Sequence, residues 1–135
     1  QFLSPFDYFE GYAQFPHEQN RLITTLVKRG VEGVIFLSGD RHHTELVRID
    51  RDDFYPLYDF TSSPLGSRGA RADKERESPV RVPGTLVHSR RNFGLIRVEG
   101  PGTERVMTLE ARGTGGELIW QHTIRAQDLK VPKGI

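Results

Sequence analysis

The chain has no cysteine, and only one methionine and one tryptophan, in 135 residues. Without thiols it forms neither disulfides nor thiolate metal sites, which leaves its redox compartment undetermined. No apolar run approaches the ~18 residues that cross a bilayer, and no basic-then-apolar signal segment is present. The net charge is +1, from 19 Lys+Arg against 18 Asp+Glu, so no global field recruits nucleic acid or an anionic membrane. Internal repeats, a nucleotide-type glycine loop and a nucleophile elbow are also lacking. Hydrophobic residues make up 36% and mean hydropathy is −0.52, which fits a single domain over residues 1–135 with a modest core. The sequence opens at Gln1, straight into FLSPFDYFEGY, and reads as part of something longer.

What the chain does have is concentrated in Gly33–Glu45, GVIFLSGDRHHTE. Val34, Ile35, Phe36 and Leu37 lack polar alternation, which predicts a strand buried on both faces. The strand ends in Ser38-Gly39-Asp40, where Gly39 is expected to make the tight turn. In α/β sheets, chemistry sits just beyond the carboxyl ends of such strands. Asp40 and His42, two apart, can lean into one pocket and offer a mixed oxygen and nitrogen ligand pair suited to zinc, iron or manganese. Residue types alone leave a structural reading equally open, since a Ser-Gly-Asp turn is common and a neighbouring histidine often bonds only to backbone. In an extended segment His43 points away from His42, toward substrate or a supporting role, with Glu45 on its side. Glu45 can orient a ligand or pair with an arginine.

The rest of the sequence predicts a mixed α/β chain, one helix–strand unit followed by antiparallel strands. Phe2–Gln14 carries Phe2, Phe6, Tyr8, Phe9 and Tyr12, with Phe15 just beyond, and reads as a loop whose rings fill the flank of a core. Pro16 suits a helix start, Leu22, Ile23, Leu26 and Val27 form one stripe, Lys28 and Arg29 suit the C-terminal end, and Gly30 the left-handed cap. Strands are expected at Leu46–Ile49, Tyr55–Thr61, Phe93–Glu99, Arg105–Arg112 and Leu118–Arg125. The last two are joined by a hairpin at Gly113–Gly116, and Trp120 packs on the sheet. Between the Tyr55–Thr61 and Phe93–Glu99 strands, residues 62–91 form a long loop rich in Pro, Gly and basic residues (Arg68, Arg71, Lys74, Arg76, Arg81). It is expected to be solvated and mobile, with an anionic-substrate clamp as the other option. Residues 126–135 make a polar tail without clear structure.

The run PHEQNRLITTLVKRGVEGVIFLSGDRHHTEL, followed by Tyr58-Asp59-Phe60-Thr61-Ser62-Ser63-Pro64 and Asn92-Phe93-Gly94-Leu95-Ile96-Arg97-Val98, resembles the C-terminal part of PhoD-like metallophosphoesterases (the alkaline phosphatase D family). The segments follow in order over most of Asp7–Ile124. The resemblance implies the C-terminal half of a metallophosphoesterase-type β-sandwich with flanking helices. The activity it implies is hydrolysis of phosphomonoesters or phosphodiesters by water activated at a two-metal centre (divalent or trivalent ions such as Fe, Mn, Zn or Ca). It implies metal ligation by His42 and Asp40, Asp40 either touching the metal or orienting His42. Arg41 is the candidate phosphate-oxygen donor and His43 the candidate catalytic group.

The family also carries, upstream of this motif, an Asp-x-His, a Gly-Asp-x-x-(Asp/Tyr) and a Gly-Asn-His-(Asp/Glu) element, and none of the three occurs ahead of Asp40 in this sequence. His17, His88 and His122 are scattered, without motif spacing. The chain alone is therefore expected to be inactive, its partners being a phosphate-ester substrate and the N-terminal half of the same domain, with self-association of exposed strand edges. No nucleic acid or membrane partner is expected. Members of that family are often exported, so the resemblance implies an extracytoplasmic parent. The alternative is a non-catalytic β-rich module that binds a partner or stabilises a larger protein.

Overall fold

A computed structural model describes residues 1–6, 9–73 and 75–132. Asp7 and Tyr8 of the aromatic segment, Lys74 of the basic loop and residues 133–135 of the tail lie outside the described residues. The fold is mixed α/β, with one α-helix and two three-stranded sheets. No helix among the described residues is long and apolar enough to cross a membrane.

Helix α1 (Pro16–Arg29) starts on its proline and ends on Gly30, left-handed at φ 58°, whose N–H returns to Val27 O at 3.0 Å. Ile23, Leu26 and Val27 pack against the core, whereas Leu22 of the expected stripe stays exposed. Tyr55 ties the following turn to the sheet: its hydroxyl donates to Val31 O at 2.8 Å and accepts from Val34 N at 3.1 Å. Burial pushes that phenol up from its ordinary value.

Strands β1 (Ile35–Ser38), β2 (Glu45–Ile49) and β3 (Leu57–Thr61) form the first sheet in the order β1-β3-β2, with β1 parallel to β3 and β2 antiparallel to it. β3 is central and buried at every position. β1 pairs only with β3 among the described residues, so the expectation of a strand buried on both faces is corrected. Phe36 is half-buried under Phe2, ring centroids 4.1 Å apart, but Leu37, on the other face, is 65% exposed. The outer edge of β1 carries no charge, proline or bulge of the kind that normally blunts a free edge.

The second sheet is a meander of β4 (Asn92–Glu99), β5 (Val106–Gly113) and β6 (Leu118–Arg125), close to the sequence expectation. It packs on the first sheet through Phe60 against Trp120, edge-on at 5.6 Å, and Tyr58 against His122 at 5.8 Å. Gly94 makes the approach possible, because a Cβ there would lie 2.7 Å from Ser62 Oγ and 2.8 Å from the Phe60 ring.

Two long segments are more ordered than composition suggests. Residues 80–87 of the basic loop line the free side of β2, with Val82 N bonded to Leu46 O at 2.8 Å and a reciprocal Thr44–Val87 pair at 2.8–2.9 Å. Thr85 and Val87 are buried there, so this stretch covers a sheet edge instead of standing in solvent. In the tail, Leu129 is buried and its carbonyl accepts from Gly33 N at 3.1 Å, which docks residues 126–131 beside the start of β1. The aromatic segment divides: Phe2 is buried, while Phe9, Tyr12 and Phe15 stay exposed.

Candidate functional site

The parallel β1–β3 pair places the ends of both strands, Ser38 and Thr61, side by side, and the Gly39–His43 turn leaves from that end. This is where α/β sheets hold their ligands. Four buried polar side chains support it from beneath. Asp59, fully buried, accepts Phe2 N at 2.7 Å and Leu3 N at 2.8 Å on one oxygen and the Ser38 hydroxyl at 2.6 Å on the other. A buried carboxylate with three donors is compensated, and here it joins the N-terminal segment to the last residue of β1. Glu45 accepts Gln1 Nε2 at 2.5 Å, faces His43 Nε2 at 3.1 Å and lies 3.6 Å from Arg81. Gln1 Nε2 also reaches Thr61 Oγ1 at 2.9 Å.

The turn itself is strained, at positions the sequence does not advertise. Gly39, the expected pivot, has room for a Cβ, with its nearest neighbour at 3.8 Å. The left-handed residues are instead Asp40, φ 65°, and His42, φ 56°. Arg41 N bonds back to Gly39 O at 2.8 Å across Asp40, a three-residue turn of the rarer γ form. Such conformations cost about 1–3 kcal/mol each and persist where the surroundings hold them. Here the backbone of His42 is clamped on both sides, its N–H donating to Ser63 Oγ at 3.1 Å and its carbonyl accepting from Ala70 N at 2.7 Å. Thr44 and Asn92 steady Ser63 in turn, through Thr44 Oγ1 to Ser63 O at 3.0 Å and Asn92 Nδ2 to the same oxygen at 3.3 Å.

The side chains of the turn separate by role. Asp40, Arg41, His42 and His43 all line one cavity of about 560 Å³, together with Phe9, Glu10 and the Ala70–Asp73 stretch. That size accommodates a small organic ligand. Ser67 Oγ stands 3.3 Å from His42 Nε2 and 3.5 Å from Nδ1, and a hydroxyl so nearly equidistant lies along neither lone-pair direction. An imidazole nitrogen of His42 is thus available to the cavity, beside the exposed Asp40 carboxyl. Arg41 lies over the Phe9 ring, 4.8 Å from its centroid. His43, the candidate catalytic group, is 1% exposed and engaged at both nitrogens, Nδ1 with Arg41 O and Nε2 with Glu45, each at 3.1 Å. In this arrangement it braces the turn.

As a donor set for a metal, Asp40 and His42 fit as two ligands of the oxygen and nitrogen type. Among the described residues no group of three His, Cys, Asp or Glu converges to hold an ion. His17, His88 and His122 do not line the cavity. Sequence reading passed over Asp59, whose acid in a strand otherwise rich in aromatics was the available signal, and the Ala70–Asp73 wall, which carried none. Set against protein-family models, curated proteins and solved structures, the chain matches none of them.

Proposed function

We propose that this chain is the C-terminal part of a PhoD-like metal-dependent phosphohydrolase, its fold the matching portion of a metallophosphoesterase sandwich. The observation that carries the reading is the pairing of Asp40 and His42 on a clamped, strained turn at the carboxyl end of the β1–β3 pair, both facing one cavity. Backbone strain that its surroundings hold in place clusters at functional sites, which supports this reading.

His42 would hold a metal through a ring nitrogen and Asp40 through a carboxylate oxygen, with the remaining ligands supplied by a preceding segment that also pairs with the open edge of β1. Bound there, such ions supply Lewis acidity toward a phosphoryl oxygen and toward water. Arg41 presents a cation at the cavity wall for a phosphate oxygen, held in place by the Phe9 ring. His43 and Glu45 keep the turn in its left-handed course, and Asp59 fixes where it begins. Without the preceding segment the chain alone is inactive and prone to self-association along β1.

The test is hydrolysis of a chromogenic phosphodiester and phosphomonoester by the full-length protein with and without added Mn²⁺, beside His42→Ala, with bound metal measured per protein. Metal-dependent turnover that drops by about 100-fold or more in the variant, with loss of bound metal, is the expected result. Turnover that survives the substitution would make the turn structural and favour a non-catalytic module.

A further inference from the structure

In the 62–91 loop the side chains of Arg71 and Arg76 stand 85% and 55% exposed, but that of Arg81 turns inward and is only 12% exposed. Its backbone is fixed to β2 on both sides, through Arg48 N to Val80 O and Val82 N to Leu46 O, each at 2.8 Å. Its guanidinium donates from Nη2 to Arg76 O at 2.5 Å and places Nη1 3.6 Å from Glu45 Oε2. Glu45 is 1% exposed, and its Oε2 has no hydrogen-bond donor among the described residues, so the Arg81 charge is what faces that oxygen. A carboxylate at this depth needs a cation beside it, and losing the cation leaves an uncompensated charge. The other oxygen faces His43 Nε2 at 3.1 Å, and His43 Nδ1 faces Arg41 O at the same distance. Contacts therefore run in series from Arg81 through Glu45 and His43 to the Arg41 carbonyl. The next carbonyl, that of His42, accepts from Ala70 N of the same loop at 2.7 Å. The loop thus secures two successive carbonyls of the strained turn, one directly and one through buried charged side chains.

We infer that Arg81 is a positioning residue of the site: its charge fixes Glu45, and through Glu45 and His43 it sets the backbone that presents Asp40 and His42. The inference rests on the hydrolase reading for what the turn holds. Arg81 does not line the cavity, so it acts on metal and substrate only through the turn. Without its charge Glu45 is left to the Gln1 amide and His43, and a shift of that imidazole releases Arg41 O. The left-handed residues then relax, because such conformations persist only where the surroundings hold them. The signature is weaker metal binding and slower turnover at an unchanged KM.

The test is Mn²⁺ titration calorimetry and steady-state hydrolysis of a chromogenic phosphodiester by the full-length protein. Wild type is set beside Arg81→Met, Arg81→Lys, Glu45→Gln and the Arg81→Met, Glu45→Gln double variant. Methionine keeps the apolar stem and removes the charge, whereas lysine keeps the charge. Arg81→Met is expected to weaken Mn²⁺ binding about tenfold and to lower kcat about tenfold at saturating metal, with KM unchanged. Arg81→Lys should recover to within about threefold of wild type, since a single contact at 3.6 Å asks for charge and not for a fork of donors. In the Glu45→Gln background Arg81→Met should add less than about twofold, as two residues acting in series do. Wild-type affinity in Arg81→Met, no recovery in Arg81→Lys, or effects that multiply in the double variant would overturn the inference. Should Arg81→Met not fold, Arg81→Lys near wild type with Glu45→Gln weakened supports it, and any other pairing of those two overturns it. Mn²⁺ binding and hydrolysis that survive His42→Ala would sink the hydrolase reading and this inference with it. Their loss in His42→Ala beside wild-type values in Arg81→Met would sink this inference alone.

Discussion

In the β4–β5–β6 meander the buried side chains are chiefly Leu109, Ala111, Trp120 and Ile124, and the buried carboxylate, Glu110, is held by Arg112 at 2.5 Å and Arg97 at 3.3 Å. In the β1–β3–β2 sheet, His43, Thr44, Glu45, Asp59 and Thr61 are all buried toward one end, each with a named polar partner. Non-directional burial is enough to hold a meander of local hairpins. A buried polar network costs desolvation at every member and is stable only when each is satisfied. A fold that needed only stability would fill that end with aliphatic side chains. The second sheet is thus read as the scaffold that roofs the first, and the polar end of the first as the place where the chain does something.

The largest test of that division is Trp120→Ala. Trp120 is nearly buried and meets Phe60 edge-on across the two sheets at 5.6 Å. Truncation leaves a cavity at their joint and is expected to cost about 3–5 kcal/mol of unfolding free energy, measured by urea titration followed by circular dichroism. A loss below about 1 kcal/mol would mean that the meander does not hold the first sheet in place.

Next comes Asp59→Ala, which strips the acceptor from Phe2 N–H, Leu3 N–H and the Ser38 hydroxyl. The expected cost is about 2–4 kcal/mol, with Asp59→Asn recovering part of it because one carboxamide oxygen remains. Amide hydrogen exchange at Phe2 and Leu3 should quicken in both variants, more in the alanine. Unchanged exchange there would show that the N-terminal segment is held by Phe2 stacking on Phe36 alone, and the polar end would lose its claim to organise the turn.

What the sequence let one read followed from how local each feature is. Pro16, the apolar stripe and Gly30 act within α1, and Gly113–Gly116 within its hairpin, so those elements lie close to where their patterns put them. β3 begins at Leu57, one residue past Pro56, as a missing backbone donor dictates. Residues 80–87 and Leu129 find their places only by meeting β2 and the start of β1, and neither partner is written in local composition. The same holds at the site. Asp40, Arg41 and His42 were legible because a strand end and a run of charge announce them. The wall beside His42 is Ala70 and Ala72, residues without chemistry of their own, and it is placed there by the Ala70 N–H that reaches His42 O. The strain at Asp40 and His42 was hidden for a related reason: Gly39 looked like the pivot, but its φ is not the left-handed one.

The smallest expected effect lies back at the joint between the sheets. His122 is half-buried against Tyr58, ring centroids 5.8 Å apart, and burial, with a further contribution from the Arg48 charge, holds its imidazole below the ordinary value of 6.5. The unfolded chain therefore takes up a proton at a higher pH than the folded one does. Stability contributed by the neutral ring is complete above pH ~6.5 and declines as pH falls from there to the folded value, because in that window the unfolded state binds more protons. Thermal midpoints measured from pH 7.5 down to 5 should fall over the lower part of that range, and His122→Gln should flatten the decline by a modest amount. If the slope is identical in the variant, the acid sensitivity belongs to other groups.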